Sequence, residues 1–145
     1  MIAIGSDHGG YELKQKVIGH LEAKGIQVKD VGCHGMDSCD YPVFGQAAAK
    51  AVASGECEKG IIICTTGIGI SIVANKVQGI RCGLCGDTFS ARMTRLHNDA
   101  NMLAMGAGIV GPQLAFDIVD TFLETDFSGE EKHIRRIGMI EGTEE

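Results

Sequence analysis

Short apolar runs alternate along the chain with longer segments in which apolar residues recur every three or four positions. The first pattern predicts strands and the second predicts helices. One run, Gly60 to Cys64, is apolar throughout, which is typical of a strand covered on both faces of a sheet. The predicted strands cover residues 2–5, 26–31, 60–64, 80–84 and 102–105.

Helical segments separate these predicted strands. Leu13, Val17 and Leu21 recur at helical spacing, and Gly25 is placed to end that helix. Pro42 suits the first turn of an alanine-rich helix that runs to residue 53. Further helices are expected through residues 73–74, from an Asp87 or Thr88 cap towards Leu96, from Pro112 through Phe122, and from a Ser128 cap over Gly129 to Ile140.

The regular alternation predicts one α/β domain, residues 1–145, with a parallel five-stranded sheet, helices on both faces and a C-terminal helical segment. Parallel sheets of this kind bind ligands at the carboxyl ends of their strands. We therefore expect a site in the loops after strands one, three and four and in the loop before strand five.

Composition and charge add expectations about binding partners and cellular location. Apolar residues make up 44% and charged residues 22%, as in an ordinary soluble protein. The formal net charge of -6 argues against a nucleic-acid partner, although a few local cations could still bind a small anion. The opening residues carry neither a basic leader nor a membrane-length apolar run, so we expect a cytoplasmic protein without membrane contact.

The cysteines are expected to be thiols, since disulfides are rare in the cytosol. Cys82 and Cys85 have the spacing of a metal pair, but residues three apart on a strand point to opposite faces, and no second pair completes a site. The sequence therefore predicts no metal. Apart from Cys64, the cysteines are interpreted as small apolar filler: Cys33, Cys39, Cys57, Cys82 and Cys85.

Polar side chains follow the first predicted strand. Asp7 can accept hydrogen bonds from sugar hydroxyls, and His8 can donate to a phosphate or a hydroxyl. Glycines follow them and open a helix, so Asp7 is equally well explained as a helix cap.

The loop after the third strand, residues 64–71, is the most informative segment. Gly67 and Gly69 allow a tight turn whose main-chain N–H groups face a ligand at a helix N-terminus, where they could stabilise a developing oxyanion. Cys64 stands beside these donors, which favour a thiolate able to act as a base. The alternative is a buried apolar cysteine. Dinucleotide-binding, Walker A and cysteine-phosphatase loops are excluded, because positions 70 and 72 are isoleucine and no Gly-Lys-Ser/Thr follows.

Two further groups carry candidate chemistry. His97 is a candidate general acid, and Asn98 can donate to an oxyanion, although both could simply end a helix. Lys132 and Arg136 are four residues apart and therefore share a helix face. Two cations on one face could bind a phosphate, but a helix that merely faces solvent would show the same pattern.

Taken together, these residues resemble the family of ribose-5-phosphate isomerase B and the related galactose-6-phosphate isomerase subunits. The similarity covers essentially the whole chain. Its motifs are Gly-Ser-Asp-His-Gly-Gly at 5–10, Asp-Tyr-Pro at 40–42, Ile-Cys-Thr-Thr-Gly-Ile-Gly-Ile-Ser at 63–71, Ala-Asn-Lys at 74–76, Gly-Ile-Arg at 79–81 and His-Asn-Asp at 97–99.

The resemblance implies a Rossmann-like three-layer α-β-α sandwich and a cofactor-free interconversion of ribose 5-phosphate and ribulose 5-phosphate through an enediol. It implies a homodimer, or a tetramer of paired dimers, with active sites at the interface. The family's base is the cysteine of this loop or a glutamate at the position of Ile70, so Cys64 takes that role here. His97 matches the residue that assists ring opening, and Thr66 the partner of the cysteine. The implied substrate contacts are Asp7, His8, Tyr41, Thr65, Gly67, Ile68, Gly69, Ser71, Asn98, Lys132 and Arg136.

One position departs from the family pattern. Many members carry an arginine in the loop after strand five where this chain has Gly108, so one phosphate cation is missing unless His133 or Arg135 replaces it. Two alternatives remain open at this stage. One is a six-carbon sugar-phosphate isomerase for allose or galactose 6-phosphate, and the other is a non-catalytic module that binds a sugar phosphate or nucleotide.

Overall fold

The structure is a computed structural model that describes residues 1–142. The strands are β1 (Ile2–Ser6), β2 (Val28–Gly32), β3 (Lys59–Cys64), β4 (Cys82–Leu84) and β5 (Met102–Gly106). The helices are α1 (Tyr11–Ala23), α2 (Tyr41–Ala53), α3 (Ile68–Asn75), α4 (Thr88–Asn98), α5 (Pro112–Glu124) and α6 (Glu131–Glu141), and a 3-10 turn spans His8–Gly10.

All five strands pair in parallel, in the order β2-β1-β3-β5-β4. The expected parallel α/β sheet is therefore confirmed. At its centre, Gly60 of β3 lies opposite Met102 of β5, and Cys64 lies opposite Gly106. The carboxyl end of β3 and the carboxyl end of β5 thus lie at the same edge of the sheet, and the chain enters both strands at the other edge.

The strand β3 divides its side chains between two hydrophobic cores, as the period of two in a strand requires. Ile61 and Ile63 pack in the core built with α1 and α5. Ile62 and Cys64 pack in the opposite core, built with α2 and α3. The helices thus cover both faces, which explains why β3 has no polar position between Gly60 and Cys64.

The second strand begins two residues later than the sequence predicts. Gly25 adopts a left-handed conformation, with φ +77°, just after α1. The N–H of Gly25 binds the carbonyl of Glu22 and the N–H of Ile26 binds the carbonyl of Leu21, which is the Schellman pattern that ends helices. Ile26 therefore belongs to the helix cap, and β2 begins at Val28.

Two other boundaries also differ. Ser128 does not cap the last helix; its Oγ donates to the Leu96 carbonyl at 2.7 Å, and Glu130 is the N-cap residue of α6. The fourth strand begins at Cys82 because Ile80 is held in a turn by its N–H bond to the Val77 carbonyl.

The described helices are all too short or too polar to cross a lipid bilayer.

Candidate active site

Cys64 is the last residue of β3 and stands at the carboxyl edge of the sheet. Its side chain is 6% exposed and lies in the core shared with α2 and α3. The main-chain N–H of Gly67 points at Sγ across 3.1 Å. This contact holds the sulfur at the end of β3, beside the loop that leads into α3.

The turn that brings this donor to the sulfur depends on glycine. Gly67 has φ +78° and caps the start of α3. A Cβ atom at this position would lie 2.5 Å from Leu84 Cδ1 and 2.8 Å from the main-chain carbon of Met105. No side chain fits there, so the close approach of the loop to β5 is what places the N–H beside Cys64.

The hydroxyl-bearing residues of this loop make local contacts with the main chain. Thr66 Oγ1 accepts a hydrogen bond from the N–H of Ile68 at 3.2 Å, which supports the first turn of α3. Ser71 Oγ donates to the Ile68 carbonyl at 2.8 Å, so its proton is used inside the helix. Thr65 is exposed, and its carbonyl accepts from Gly108. The action of Thr66 on Cys64 stays a prediction, because its contact here is with the main chain.

Asp7 and His8 lie at the same edge, directly after β1. Asp7 Oδ1 accepts from the N–H of Gly10 at 3.0 Å, so the carboxylate caps the 3-10 turn and keeps its second oxygen for other partners. His8 Nδ1 accepts from the N–H of Cys39 at 3.2 Å. In the neutral ring the proton must then sit on Nε2. His8 therefore offers an N–H donor on the side of the ring away from Cys39.

Tyr41 joins the group from the start of α2. Its ring packs so closely over Gly69 that a Cβ atom there would lie 2.7 Å from Cε1. Gly9 approaches Thr65 in a similar way, because a Cβ atom on Gly9 would clash with the threonine Oγ1. The loops after β1, β2 and β3 thus form one surface, the carboxyl-edge group: Asp7, His8, Tyr41 and residues 64–71.

His97 and Asn98 lie elsewhere. They end α4, which begins after the carboxyl end of β4 and runs back across the sheet. Arg81, which directly precedes β4, donates to the Asn98 carbonyl at 2.8 Å. Because β4 and β5 are parallel, the residues before each strand share the amino edge. The length of β5 alone separates the two edges by about 13 Å.

The prediction that the loop before strand five joins the carboxyl-edge site is therefore wrong for a single chain. Parallel strands receive their chain at one edge and release it at the other, so a loop before a strand cannot meet the loops after its neighbours. His97 and Asn98 are not brought together with Cys64 in one copy of the protein.

The residues of α6 gather with His97 at this second location, which we call the amino-edge group: His97, Asn98, Lys132, His133 and Arg136. The rings of His97 and His133 stack, with centroids 4.4 Å apart and planes 20° from parallel. His133 is 7% exposed, whereas Lys132 and Arg136 are exposed. The described residues give Lys132 one ion pair, with Glu130 at 3.7 Å. Both cations are accessible to an anion.

Burial lowers the pKa of His133, and repulsion from His97 lowers it further. The nearby cations Lys132 and Arg136 act in the same direction, and Glu130 opposes them. A neutral, buried imidazole cannot replace a missing phosphate cation. His133 and Arg135 were the two candidates to replace the phosphate cation that is missing at Gly108, and His133 is thus unsuited on electrostatic grounds.

A cavity of about 350 Å³ lies beside Gly108 at the carboxyl edge. Gly108 is held there by its N–H bond to the Thr65 carbonyl, at 2.8 Å. Lys16 of α1 lines the cavity together with Glu12. Among the residues that the structure describes, Lys16 is the one basic residue that lines the cavity. The sequence pattern does not reveal it, because an exposed lysine on an amphipathic helix is ordinary.

The cysteines in the described part of the chain are free thiols. Burial raises the pKa of Cys82 to about 12, so this thiol stays protonated at neutral pH. Within residues 1–142, no cluster of three or more His, Cys, Asp or Glu side chains is arranged to hold a metal ion. The side chains of the carboxyl-edge group and the amino-edge group are suited to acid–base chemistry and to anion binding.

Comparison with known proteins gives concordant results. The ribose/galactose isomerase family model matches residues 2–140. The chain is 44% identical to ribose-5-phosphate isomerase B of Escherichia coli, covering 99% of this chain and 96% of that protein. It is 49% identical to a putative sugar phosphate isomerase of Bacillus subtilis, covering 99% and 97%. The solved structure of Clostridium thermocellum ribose-5-phosphate isomerase B superposes with a TM-score of 0.96 at 55% identity, covering 97% of this chain and 95% of that one.

Proposed function

The chain belongs to the ribose/galactose isomerase family, and from this premise we propose that it interconverts ribose 5-phosphate and ribulose 5-phosphate through an enediolate, with Cys64 as the base. The observation that carries the assignment of the base is the Gly67 N–H aimed at Cys64 Sγ over 3.1 Å. A thiolate held at a strand end beside main-chain donors can take a proton from carbon next to a carbonyl.

The reaction starts with the closed sugar. His97 donates a proton to the ring oxygen, a water molecule takes the proton of the C1 hydroxyl, the bond between C1 and the ring oxygen breaks, and the open aldose results. The Cys64 thiolate then removes the proton from C2, and negative charge develops on the oxygen at C1. Returning the carbon-bound proton to C1, with transfer of the hydroxyl proton from O2 to O1, yields the ketose.

Main-chain N–H groups between Thr65 and Gly69 stabilise the enediolate oxygens in this mechanism, while the N–H groups of Gly67 and Ile68 are directed at Cys64 Sγ and Thr66 Oγ1. Donors fixed by the fold need no reorganisation when charge develops, which is the basis of oxyanion stabilisation. Gly67 and Gly69 permit this turn, and Tyr41 covers it from α2. Asp7, His8 and Asn98 bind the sugar hydroxyls, and Thr66 assists Cys64.

The site requires a second copy of the chain. Cys64 and His97 lie at opposite edges of the sheet, about 13 Å or more apart along the strands. A twofold dimer that sets the carboxyl-edge group of one subunit against the amino-edge group of its partner completes two identical sites. Exposed apolar residues beside the Cys64 loop support such a contact: Val43, Ile68 and Ile72. A tetramer built from two such dimers contains the same sites.

Lys132 and Arg136 bind the substrate phosphate from the partner's α6. They are one helical turn apart, and their side chains are exposed on the helix that stacks His133 against His97. Ring opening and phosphate binding would then both be provided by the same partner element. The protein acts in the cytoplasm, in keeping with the small, diffusible phosphorylated substrate.

A six-carbon sugar phosphate is the second candidate substrate, favoured by one observation. The cavity of about 350 Å³ beside Gly108 leaves room next to Thr65 that a longer sugar could occupy. A module that only binds sugar phosphates is the remaining alternative, and it leaves the Gly67 donor at Cys64 without a purpose.

The test is turnover by wild-type protein and by Cys64→Ala, with ribose 5-phosphate and allose 6-phosphate measured in parallel. We expect wild-type turnover of ribose 5-phosphate that the variant loses, while calorimetric binding of the sugar phosphate persists. Binding without turnover by the wild type would contradict the proposal and favour the binding module. Near-normal kcat in Cys64→Ala would contradict the assignment of the base alone.

A further inference from the structure

Arg81 lies just before β4, within the Gly-Ile-Arg motif that the substrate contacts leave unexplained. Its guanidinium group makes three hydrogen bonds of good length. Nε donates to the Asn98 carbonyl at 2.8 Å, and Nη2 donates to the Asp99 carbonyl at 2.9 Å. Nη1 donates to Glu141 Oε1 at 2.6 Å. One side chain therefore joins the end of α4 to the end of α6.

The two carbonyl groups are acceptors that the helix itself cannot satisfy. Asn98 is the last residue of α4, and Asp99 is its C-cap, so neither carbonyl has an intrahelical partner. A cation at this end also interacts favourably with the helix dipole. Asp99 has φ +44°, a left-handed conformation that residues other than glycine adopt less readily. Arg81 thus stabilises a strained exit from α4.

The position of the guanidinium is fixed by the main chain of Arg81 as well. The N–H of Arg81 donates to Asn101 Oδ1 at 2.9 Å, and its carbonyl accepts from the N–H of Asn101 at 3.0 Å. Asn101 then leads directly into β5. Both the main chain and the side chain of Arg81 hold the segment that carries Asn98, so this segment cannot shift unless these bonds break.

The third bond connects this segment to the phosphate-binding helix. Glu141 is the last residue of α6, which also carries Lys132, His133 and Arg136. The stack of His133 on His97 joins the same two helices nearer the start of α6. The helices α4 and α6 are therefore fastened at two points, and Arg81 supplies one of them.

We propose that Arg81 is a positioning residue that sets the orientation of His97 and Asn98, and of the α6 cations, for a substrate bound in the partner's site. The inference rests on the proposed function, since it concerns the same amino-edge group. The role is one of positioning, because Nε, Nη1 and Nη2 of Arg81 each donate to a protein acceptor and so hold the guanidinium group against the ends of α4 and α6. It acts through the Asn98 carbonyl and Glu141.

Lysine cannot reproduce this arrangement. A guanidinium group presents its donors in a rigid planar fork, whereas an ammonium group is a single point on a flexible stem. Arg81→Lys keeps the charge and removes the fork, and Glu141→Gln removes the charge of the α6 acceptor while leaving Arg81 in place. Arg92→Lys is the matched control, because Arg92 lies on α4 with its guanidinium over the Phe89 ring, 5.8 Å from the centroid.

The experiment compares these variants on two aldose phosphates, one of which has no ring to open. Ribose 5-phosphate is mainly cyclic, but erythrose 4-phosphate cannot close a furanose ring, since its O4 carries the phosphate. We expect Arg81→Lys to lower kcat on ribose 5-phosphate on the order of tenfold to a hundredfold, as misplaced catalytic groups do. The loss on erythrose 4-phosphate should be smaller, and Arg92→Lys should change neither.

A second readout follows the imidazole itself. In spectra of protein carrying ¹³C-labelled histidine, Arg81→Lys and Glu141→Gln should shift the His97 resonance, which is assigned through His97→Gln. Unmoved His97 signals, unchanged kcat or an equal loss on both sugars would overturn the inference. If Arg81→Lys does not fold, Glu141→Gln decides by the same criteria. Absence of turnover by the wild type would instead refute the proposed function.

Discussion

The N–H of Gly67 lies 3.1 Å from the sulfur of Cys64 and links the shape of a turn to the chemistry of a thiol. The donor can reach the sulfur only because residue 67 has φ +78° and no side chain. The same loop starts α3 and, in the proposed mechanism, supplies the other donors for an enediolate. A change at position 67 should therefore affect folding as well as catalysis.

Gly67→Ala should destabilise the protein by more than about 2 kcal/mol, since it adds left-handed strain to a clash with Leu84 and Met105. Gly19→Ala is the matched control: its ideal Cβ meets nothing within 4 Å in the middle of α1. It should stabilise the protein by about 0.5–1 kcal/mol. Denaturant unfolding measures both, and equal effects of the two changes would refute the steric account.

Alkylation should single out Cys64. Burial raises the pKa of Cys57, Cys82 and Cys85, and burial together with Cys33 raises that of Cys39, so these thiols react slowly near neutral pH. Cys33 is buried, and its thiol donates to the Gly35 carbonyl. We expect iodoacetamide to inactivate the enzyme with incorporation at Cys64, and ribose 5-phosphate to slow that reaction. Peptide mass mapping locates the label. Inactivation that persists unchanged in rate when substrate saturates the site would count against the assignment.

Removing a phosphate cation should weaken binding more than chemistry. Lys132→Ala and Arg136→Ala should each raise KM about tenfold, with a smaller change in kcat. Arg92→Ala removes the same charge elsewhere on the surface and serves as the control. If kcat falls while KM stays constant, these cations act on the transition state rather than in ground-state binding.

Stability should fall on the acid side of neutrality because of His133. Its pKa in the folded state is lowered by burial and by His97, so the unfolded chain takes up the proton more readily. The stabilisation of the folded state by neutral His133 is therefore fully present above about pH 6.5, the ordinary histidine pKa. This part of the free energy of unfolding is lost as the pH falls below that value. His133→Phe, which retains a ring on His97, should reduce this slope in unfolding measurements between about pH 5 and 7.

A substitution that removes no titratable group provides the reference for that experiment. Ile118→Val, in the buried core, should lower the unfolding free energy and leave its pH slope as it is in the wild type. The groups facing His133 are His97, Glu130, Lys132 and Arg136. An unchanged slope in His133→Phe would assign the acid sensitivity to other groups.

Most of the fold could be predicted from the sequence because its signals are local. The apolar run before Cys64 and the helical spacing of Leu13, Val17 and Leu21 each follow from burial in the observed layers. The parallel sheet and the sugar-phosphate isomerase class are both confirmed. The boundary at Ile26 was wrong because its N–H bonds to a carbonyl at the end of α1. The cap at Ser128 was wrong because its hydroxyl bonds to the carbonyl of Leu96, which is distant in sequence.

The candidate site was predictable only in part. The residues after β1 and β3 were placed correctly at the carboxyl edge, because strand ends and glycine turns can be recognised from the local sequence. His97 lies at the opposite edge of the sheet within one chain, since its position depends on the direction of α4 across the sheet. The roles of His133 and Arg81 rest on contacts between α4, α6 and the start of β4, which no local pattern encodes.

An active site that combines Cys64 of one subunit with His97 of its partner can be tested by mixing two inactive variants. Cys64→Ala and His97→Ala are purified separately, unfolded and refolded together in equal amounts, with each refolded alone as the control. In a mixed dimer one site regains both residues, so we predict about a quarter of wild-type turnover of ribose 5-phosphate. Activity of the mixture no higher than the mean of the two separate variants would contradict the shared site.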